Sequence, residues 1–310
     1  MHFLLKKDIF RKVFMKLSVL ANAKINLFLD IKSKREDNYH NILSIMQSVD
    51  LCDVITIEYT PSAIKTISVE CSDKTLSCAA DNLIYKAALA FPCVGDIKVF
   101  LNKKIPVSAG LAGGSTDAAA ILVGLNRLTG EKLSLDELKT IGGKLGADIP
   151  FCIEGGTCIV EGIGDSVKKI GRAVTCPIVV ARIGEGMSTP MAYAMLDDKY
   201  DNFKEYRQKT DIFSVLLKDI EADKGVEKFR LFNIFEEVVE PIRPRVSEIK
   251  EIMTSCGAHN AIMSGSGTSV FGLFENENMA LISIDRLHRL GAMAFLCYPT
   301  DRGVQIENCL

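Results

Sequence analysis

The chain has 310 residues, of which 48% are hydrophobic and 25% are charged, and its formal net charge is −2 at pH 7. This balance is typical of a globular protein with one large domain or two moderate ones. A charge so close to zero does not favour a nucleic-acid or an acidic-membrane partner.

The N-terminal residues 1–15 contain apolar side chains, but Lys6, Lys7 and Asp8 interrupt them. A secretory signal or a membrane span needs an uninterrupted apolar run, and no other stretch approaches the length of a span. The 10 cysteines are scattered singly, without the C-x-x-C spacing of zinc ligands. We therefore expect reduced thiols in a cytoplasmic protein with no membrane partner. Residues 1–15 are expected to be an extension without a catalytic role, with Met15 as an alternative start.

Alternating apolar residues predict strands, and apolar stretches behind a capping residue predict helices. The elements expected in the first half are a strand over 18–31, a strand ending the segment 41–60, a helix over 83–91 capped by Asp81 or Asn82, a strand over 97–102, a helix from Ser115 to near Gly130, a helix opened by Ser134, and strands over 151–160 and 175–183.

The second half opens on a polar segment, where Pro190 and residues 199–209 indicate a crossing between domains. The elements expected after it are helices over 211–221 and 243–255, then a strand, a glycine turn, a strand, a helix and a strand over 258–298. The whole pattern predicts an α+β chain, with an N-terminal domain over 16–180 and a C-terminal domain over 181–310.

The strongest chemical signal is the segment PVSAGLAGGSTDAA, which begins at Pro106. Glycines and small neighbours let backbone N–H groups approach an anion, and the helix that follows adds the positive end of its dipole. Neither the Walker pattern nor the G-x-G-x-x-G dinucleotide pattern is present. A phosphate-binding loop and a plain glycine-rich turn before a capped helix remain equally compatible with this segment. As a phosphate loop it would contact ATP through Pro106, Gly110, Leu111, Ala112, Gly113, Gly114, Ser115 and Thr116.

Three motifs together resemble the GHMP kinase family. Residues 23–27 (AKINL), 110–116 and 263–267 (MSGSG) are similar to its first, second and third motifs, in the same order. The resemblance implies a two-domain fold, with a ribosomal protein S5 domain 2-like N-terminal half and a ferredoxin-like C-terminal half. It also implies that the site lies in the cleft between the halves and that ATP is used with Mg²⁺.

A narrower resemblance points to one branch of that family. Residues 35–40 (REDNYH), 146–151 (GADIPF) and 161–165 (EGIGD) are similar to segments of the kinases that act on a cytidine diphosphate-linked polyol. The implied reaction is ATP-dependent phosphorylation of the 2-hydroxyl of 4-diphosphocytidyl-2-C-methyl-D-erythritol, a step of non-mevalonate isoprenoid biosynthesis.

Four residues depart from the family pattern. Asn22 stands where Pro is usual and Asn38 where Gly is usual, although Asn tolerates a left-handed backbone. Ala112 replaces a common Gly, so its φ is expected to be negative in an unstrained loop. Asp117 replaces a usual Asn, and because a carboxylate repels phosphate we expect it to point away from the nucleotide.

The resemblance assigns catalysis to Lys24 and Asp148. Asp148 lies in an apolar setting and is the candidate base, while from the residues alone it would be a cap of the preceding turn. Lys24 and Asn26 share one face if their strand alternates, so that Lys24 can keep Asp148 ionised and stabilise charge in transfer. The alternative for Lys24 is an edge lysine that guards a sheet.

The remaining predicted site residues are expected to contact either the cytidine substrate or ATP. Tyr39 or Tyr193 is expected to stack on the cytosine and His40 to bond to its edge, although a lone histidine is more often structural. Asn82 resembles the adenine side and also suits a helix N-cap. Further substrate contacts are expected from Asn26, Thr189 and Gly265. The turn that contains Gly265 is almost equally compatible with a plain hairpin turn that has no role in binding.

Magnesium is expected to arrive with ATP, with no dedicated protein ligand beyond Ser115 or Thr116. Two other functions remain open at this point. One is a different GHMP kinase, for mevalonate, homoserine or a sugar, and the other is a nucleotide-binding regulator that has lost catalysis. The presence of both Lys24 and Asp148 argues against the regulator.

Overall fold

The computed structural model describes residues 14–170, 174–204 and 206–309. Within these residues the strands form two sheets. Their bounds are β1 Met15–Lys34, β2 His40–Pro61, β3 Thr66–Cys71, β4 Gly95–Asn102, β5 Thr157–Gly162, β6 Ser166–Lys169, β7 Ile178–Arg182, β8 Phe232–Asn233, β9 Asn260–Met263, β10 Val270–Leu273, β11 Met293–Cys297 and β12 Val304–Cys309.

Helices cover the sheets and connect them. The α-helices are α1 Leu83–Ala90, α2 Gly113–Leu128, α3 Leu135–Gly143, α4 Ile149–Glu154, α5 Thr189–Lys199, α6 Thr210–Glu221, α7 Glu236–Val239, α8 Arg245–Ser255 and α9 Glu277–Arg289. Short 3₁₀ helices lie at Asp201–Phe203, Val226–Lys228 and Glu240–Ile242. In the described part of the chain, no helix is long and apolar enough to cross a membrane.

The first sheet is built on the antiparallel pair β1 and β2. Its strands run in the order β12-β1-β2-β4-β3, while β5 also pairs with β2 and the short β8 pairs with β1. Helix α2 packs on this sheet through alanines and leucines, and Gly124 is needed there because a Cβ would lie 2.4 Å from the Ile57 side chain. This packing fixes the direction in which the N-terminus of α2 faces.

The second sheet has the order β11-β7-β10-β9 and carries α8 and α9. The predicted boundary at 180/181 lies inside β7, a strand that pairs with β10 and β11 in the second sheet. The chain also returns at its end, because β12 pairs with β1 in the first sheet. Residues 1–13 of the predicted extension lie outside the described residues, and Met15 begins β1.

One expectation about elements is wrong. Residues 151–160 were expected to form one strand, but the buried apolar run first forms α4, with Pro150 in its first turn, before β5 begins. Helix α5, with Pro190 in its first turn, was not predicted. The strands of the site, the Asn82 cap of α1 and the Ser134 capping box of α3 agree with the predictions.

Candidate active site

The glycine loop, residues 106–115, leaves β4 and enters α2 without a capping side chain. Its Ala112 has φ 57° and ψ 27°, so the prediction of a negative φ is wrong and this alanine adopts a left-handed backbone. Helix α2 therefore begins at Gly113, two residues earlier than expected. Since the first-turn N–H groups of a helix lack intrahelical partners, the loop presents uncapped donors at the positive end of the α2 dipole.

The third motif holds the glycine loop in place. Gly110 has φ +76°, and a Cβ there would lie 2.0 Å from the Ser264 carbonyl oxygen, so only glycine permits this approach. Ser264 Oγ donates to the Gly110 carbonyl at 2.9 Å, and the Ser269 N–H donates to the Ala109 carbonyl at 3.2 Å. The turn at 264–268 is thus a packing partner of the loop rather than an isolated hairpin turn.

Strand β1 brings two polar side chains beneath that contact. Lys24 Nζ donates to Asn26 Oδ1 at 2.6 Å and to the Gly110 carbonyl at 2.9 Å, which confirms that the two side chains share a face. Asn26 Oδ1 also accepts from the Gly265 N–H at 3.0 Å. The amide oxygen of Asn26 therefore joins the first motif to the third. Both of these motifs also bond to the Gly110 carbonyl of the second motif, through Lys24 and Ser264.

Lys24 is almost fully buried, and desolvation lowers its pKa, while the negative charge of Asp148 acts in the opposite direction. Asp148 immediately precedes α4, but its side chain makes no capping hydrogen bond there. The Asp148 side chain therefore does not cap α4, and the interpretation of Asp148 as a cap of the preceding turn stays a prediction. A buried ammonium beside a half-buried carboxylate is an arrangement that can polarise and orient a hydroxyl between them.

A buried charge cluster that the sequence does not predict lies under the loop. Lys103 Nζ contacts Asp53 Oδ2 at 2.6 Å and Asp117 Oδ2 at 2.7 Å. Asp53 Oδ1 accepts from the backbone N–H groups of Lys104 and Ile105 at 2.5 and 2.9 Å, whereas Asp117 Oδ1 has no partner among the described residues. The paired lysines before Pro106 were a visible signal, but nothing in the sequence links them to Asp53.

This cluster holds two carboxylates and one cation. Burial raises the pKa of Asp117 to about 8, and the nearby Asp53 also raises it, while Lys103 acts in the opposite direction. The Asp117 side chain is thus tied to Lys103 beneath Gly113, although the residue still lines the cleft. A Cβ at Gly113 would lie 2.9 Å from Lys103 Nζ, which explains the glycine at this position.

The far end of the site is aromatic. His40 is buried, stacks on Tyr193 with ring centroids 4.6 Å apart and an interplanar angle of 23°, and contacts Asp197 Oδ1 through Nε2 at 2.7 Å. Tyr39 is 60% exposed at the mouth, and no other ring stacks on it in the described ranges. Asn38 precedes it with φ 65°, as expected for a residue that replaces glycine in this turn.

Two other predicted residues close the cleft. Thr189 Oγ1 lies 2.9 Å from Ser266 Oγ, which joins the start of α5 to the third motif. Asn82 Oδ1 caps α1 by accepting from the Ile84 N–H at 2.8 Å, and its Nδ2 donates to the Ser77 carbonyl at 2.6 Å. The cap reading of Asn82 is confirmed, and the residue also lines the cleft.

All these parts surround one cleft of about 1120 Å³. This volume lies just above the roughly 300–1,000 Å³ of a typical small-molecule pocket, so the cleft has room for a large ligand or for two. The predicted residues that line it are Lys24, Asn26, Tyr39, His40, Asn82, Pro106, Gly110, Ala112, Gly113, Gly114, Ser115, Asp148, Thr189, Tyr193 and Gly265.

Two predicted loop residues do not line the cleft. Leu111 is buried, and its carbonyl accepts from the Lys24 N–H at 3.2 Å. Thr116 is fully buried, and its hydroxyl lies by the Cys152 thiol on the inner face of α2. For Thr116 the reason is the helical rotation, since its side chain faces the core while that of the preceding Ser115 lines the cleft.

Comparison with known proteins gives matches along the chain. The model of the GHMP kinases N terminal domain matches residues 78–156, and that of the GHMP kinases C terminal domain matches residues 217–292. A 4-diphosphocytidyl-2-C-methyl-D-erythritol kinase of Exiguobacterium sibiricum is 40% identical over 270 residues, which cover 86% of this chain and 92% of that protein. The kinase of the same name from Clostridioides difficile is 38% identical, with coverage of 92% and 96%.

Solved structures agree with these matches. A crystal structure of 4-(cytidine 5′-diphospho)-2C-methyl-D-erythritol kinase superposes with a TM-score of 0.73 at 27% identity, over 91% of this chain and 99% of that one. A mevalonate kinase structure superposes with a TM-score of 0.65 at 17% identity, over 91% and 99% of the two chains, and this likeness shows the shared fold alone.

Proposed function

Because the chain belongs to the GHMP kinase family, and its relatives at about 40% identity cover most of its length, we propose that it transfers the γ-phosphate of ATP to the 2-hydroxyl of 4-diphosphocytidyl-2-C-methyl-D-erythritol. The observation that carries this proposal is the convergence of Lys24, Asp148 and the glycine loop on one cleft, with an aromatic pocket at its other end.

The glycine loop is the site for the triphosphate. Uncapped N–H groups at Gly113, Gly114 and Ser115 suit phosphate oxygens, and the α2 dipole favours their charge. Leu83 and Leu101, with the Asn82 cap, line the cleft nearby and suit the adenine. Thr116 and Leu111 are buried beneath the glycine loop and support it by packing.

Magnesium fits this site as part of the nucleotide complex. Ser115 offers a half-buried hydroxyl at the cleft, whereas the buried Thr116 hydroxyl does not reach it. Among the described residues, no group of three or more His, Cys, Asp or Glu side chains is placed to hold a metal ion, so phosphate oxygens and water would supply most ligands. The ion would neutralise charge on the transferring phosphoryl group.

Lys24 and Asp148 act on the acceptor hydroxyl. Asp148 accepts a hydrogen bond from this hydroxyl and orients the hydroxyl oxygen towards the γ-phosphate. Lys24 balances the negative charge of the carboxylate and of the transferred phosphoryl group. Lys24 is held for this role by two acceptors, Asn26 and the Gly110 carbonyl, so its ammonium is tied to the same loop that holds the phosphates. Its position therefore depends on the closed contact between the three motifs.

The aromatic end receives the cytidine. Tyr193 already stacks on His40, whereas Tyr39 is exposed and stacks on no other ring among the described residues. Of the two tyrosines considered, Tyr39 is therefore the better stacking platform for the base. Tyr193 and Phe235 form the wall of the pocket, with ring planes at 87°.

The test is ADP release with a panel of acceptors. We expect turnover with 4-diphosphocytidyl-2-C-methyl-D-erythritol, and none with mevalonate, homoserine or galactose. Lys24→Met and Asp148→Asn should each lower kcat by ~10² or more. Lys98→Met and Asp198→Asn, which change exposed side chains of the same types, should not. Turnover of homoserine with an inert cytidine compound would refute the assignment, and ATP binding without any turnover would indicate a regulator.

A further inference from the structure

Asp197 is a polar residue of the cleft to which the proposed reaction assigns no role. It lies one helical turn after Tyr193 on α5, and its two carboxylate oxygens have separate partners. Oδ1 contacts His40 Nε2 at 2.7 Å, and Oδ2 accepts from Lys34 Nζ at 2.8 Å. The Asp197 side chain is only 15% exposed, so this is an enclosed contact rather than a surface ion pair.

The charge of Asp197 determines which ring nitrogen of His40 carries hydrogen. Burial acts to raise the pKa of Asp197, but the hydrogen bonds from Lys34 and His40 lower it below its ordinary value. An ionised carboxylate only accepts, so His40 Nε2 must donate to it. Lys34 already balances the Asp197 charge, and a neutral imidazole completes the cluster without an unpaired charge.

A neutral ring with hydrogen on Nε2 has a lone pair on Nδ1. In the described ranges no protein group forms a hydrogen bond with Nδ1. This atom is not fully enclosed by the protein, and His40 lines the cleft. Stacking on Tyr193 and an edge contact with Phe203 prevent the ring from turning. The cleft therefore contains a fixed acceptor at its aromatic end.

Resting on the proposed function, we propose that Asp197 is a positioning residue that selects cytosine over uracil by fixing His40 as an acceptor at Nδ1. The exocyclic amino group of cytosine donates to such an atom. The corresponding carbonyl of uracil would place two acceptors together and leave both unpaired. An unpaired buried polar group costs about 1–3 kcal/mol, which corresponds to a discrimination of roughly 5- to 150-fold.

Asp197→Asn tests this inference. The carboxamide can donate to Nε2, which moves the ring hydrogen to Nδ1 and reverses the preference. We expect the cytidine-to-uridine ratio of kcat/KM, measured with the two diphospho-methylerythritol substrates, to fall by roughly 10-fold or more. Asp198→Asn has the same change of charge on the same helix at an exposed position, and it should keep the wild-type ratio. A merely structural role would lower both rates together, leave the ratio unchanged and overturn the proposal.

The second readout does not depend on turnover. Nitrogen-15 shifts of His40, assigned with the His40→Gln variant, should show hydrogen on Nε2 in the wild type and a shift towards Nδ1 in Asp197→Asn. Hydrogen on Nδ1 in the wild type would overturn the proposal. If the wild type phosphorylates neither nucleotide substrate, the proposed function fails and base selection fails with it. The nitrogen shifts would then still report whether Asp197 sets the ring.

Discussion

Replacing Asp117 by asparagine should make the protein more stable, by an amount that grows with pH. Lys103 is shared between Asp117 and Asp53 in a buried site, and Asp117 Oδ1 has no partner in the described chain. Asparagine keeps the shape and an oxygen acceptor for Lys103, and it removes one of two negative charges around a single cation. The Lys103–Asp53 pair then remains balanced, with its 2.6 Å contact intact.

The magnitude follows from proton linkage. The pKa of Asp117 is about 8 in the folded protein, against an ordinary value of 3.8. Between these values the folded state binds a proton that the unfolded state lacks, so the free energy of unfolding decreases as pH rises. The slope is at most about 1.4 kcal/mol per pH unit, and since Asp53 and Lys103 also respond, we expect roughly 2 kcal/mol between pH 5 and 7.

The assay is urea unfolding at pH 5, 6, 7 and 8, followed by far-ultraviolet circular dichroism because the chain has no tryptophan. The stability difference between Asp117→Asn and the wild type should widen from pH 5 to pH 7 and level off above about pH 8. Asp198→Asn, at an exposed position, should follow the wild type at every pH. A difference that does not change with pH, or a variant less stable at pH 8, would refute the reasoning.

Three further predictions concern the loop and its supports. Asp53→Ala should cost about 3 kcal/mol of unfolding free energy, because it leaves the backbone N–H groups of Lys104 and Ile105 without their acceptor, and a gain in stability by urea unfolding would contradict this. Ala112→Gly should raise the unfolding free energy by roughly 0.5 kcal/mol, since relief of the left-handed alanine exceeds the entropy cost of glycine, and a lower melting temperature would contradict this. Asn82→Ala should cost about 1 kcal/mol through the lost cap and also raise KM for ATP, and an unchanged KM would remove Asn82 from the nucleotide site.

The sequence was most informative where local chemistry determines the backbone. The alternation of β1 placed Lys24 and Asn26 on one face, and the side chains of Asn82 and Ser134 marked where helices begin. The glycine loop was recognisable because its composition and its helix are contiguous. These signals depend on residues within a few positions of one another, so they need no knowledge of the tertiary structure.

The sequence was least informative where contacts with distant segments determine the local structure. Because α4 is buried on nearly every side, it shows no helical periodicity, and its apolar run wrongly predicts a strand. Helix α5 mixes apolar and polar residues without a clear apolar face, and it is held by the contacts of Tyr193 and Asp197 with His40, about 150 residues earlier. The Asp53–Lys103–Asp117 cluster likewise joins three separate segments. The left-handed Ala112 follows from the loop packing on Ser264, which a local reading of alanine cannot reveal.

The most direct test of the account is a crystal structure with a non-hydrolysable ATP analogue and the diphosphocytidyl substrate bound together. The proposed mechanism predicts the γ-phosphate on the N–H groups of Gly113 to Ser115, the cytosine at Tyr39 and His40, and the 2-hydroxyl within hydrogen-bond distance of Asp148. A nucleotide bound away from the glycine loop, or a hydroxyl out of reach of both Asp148 and Lys24, would contradict it.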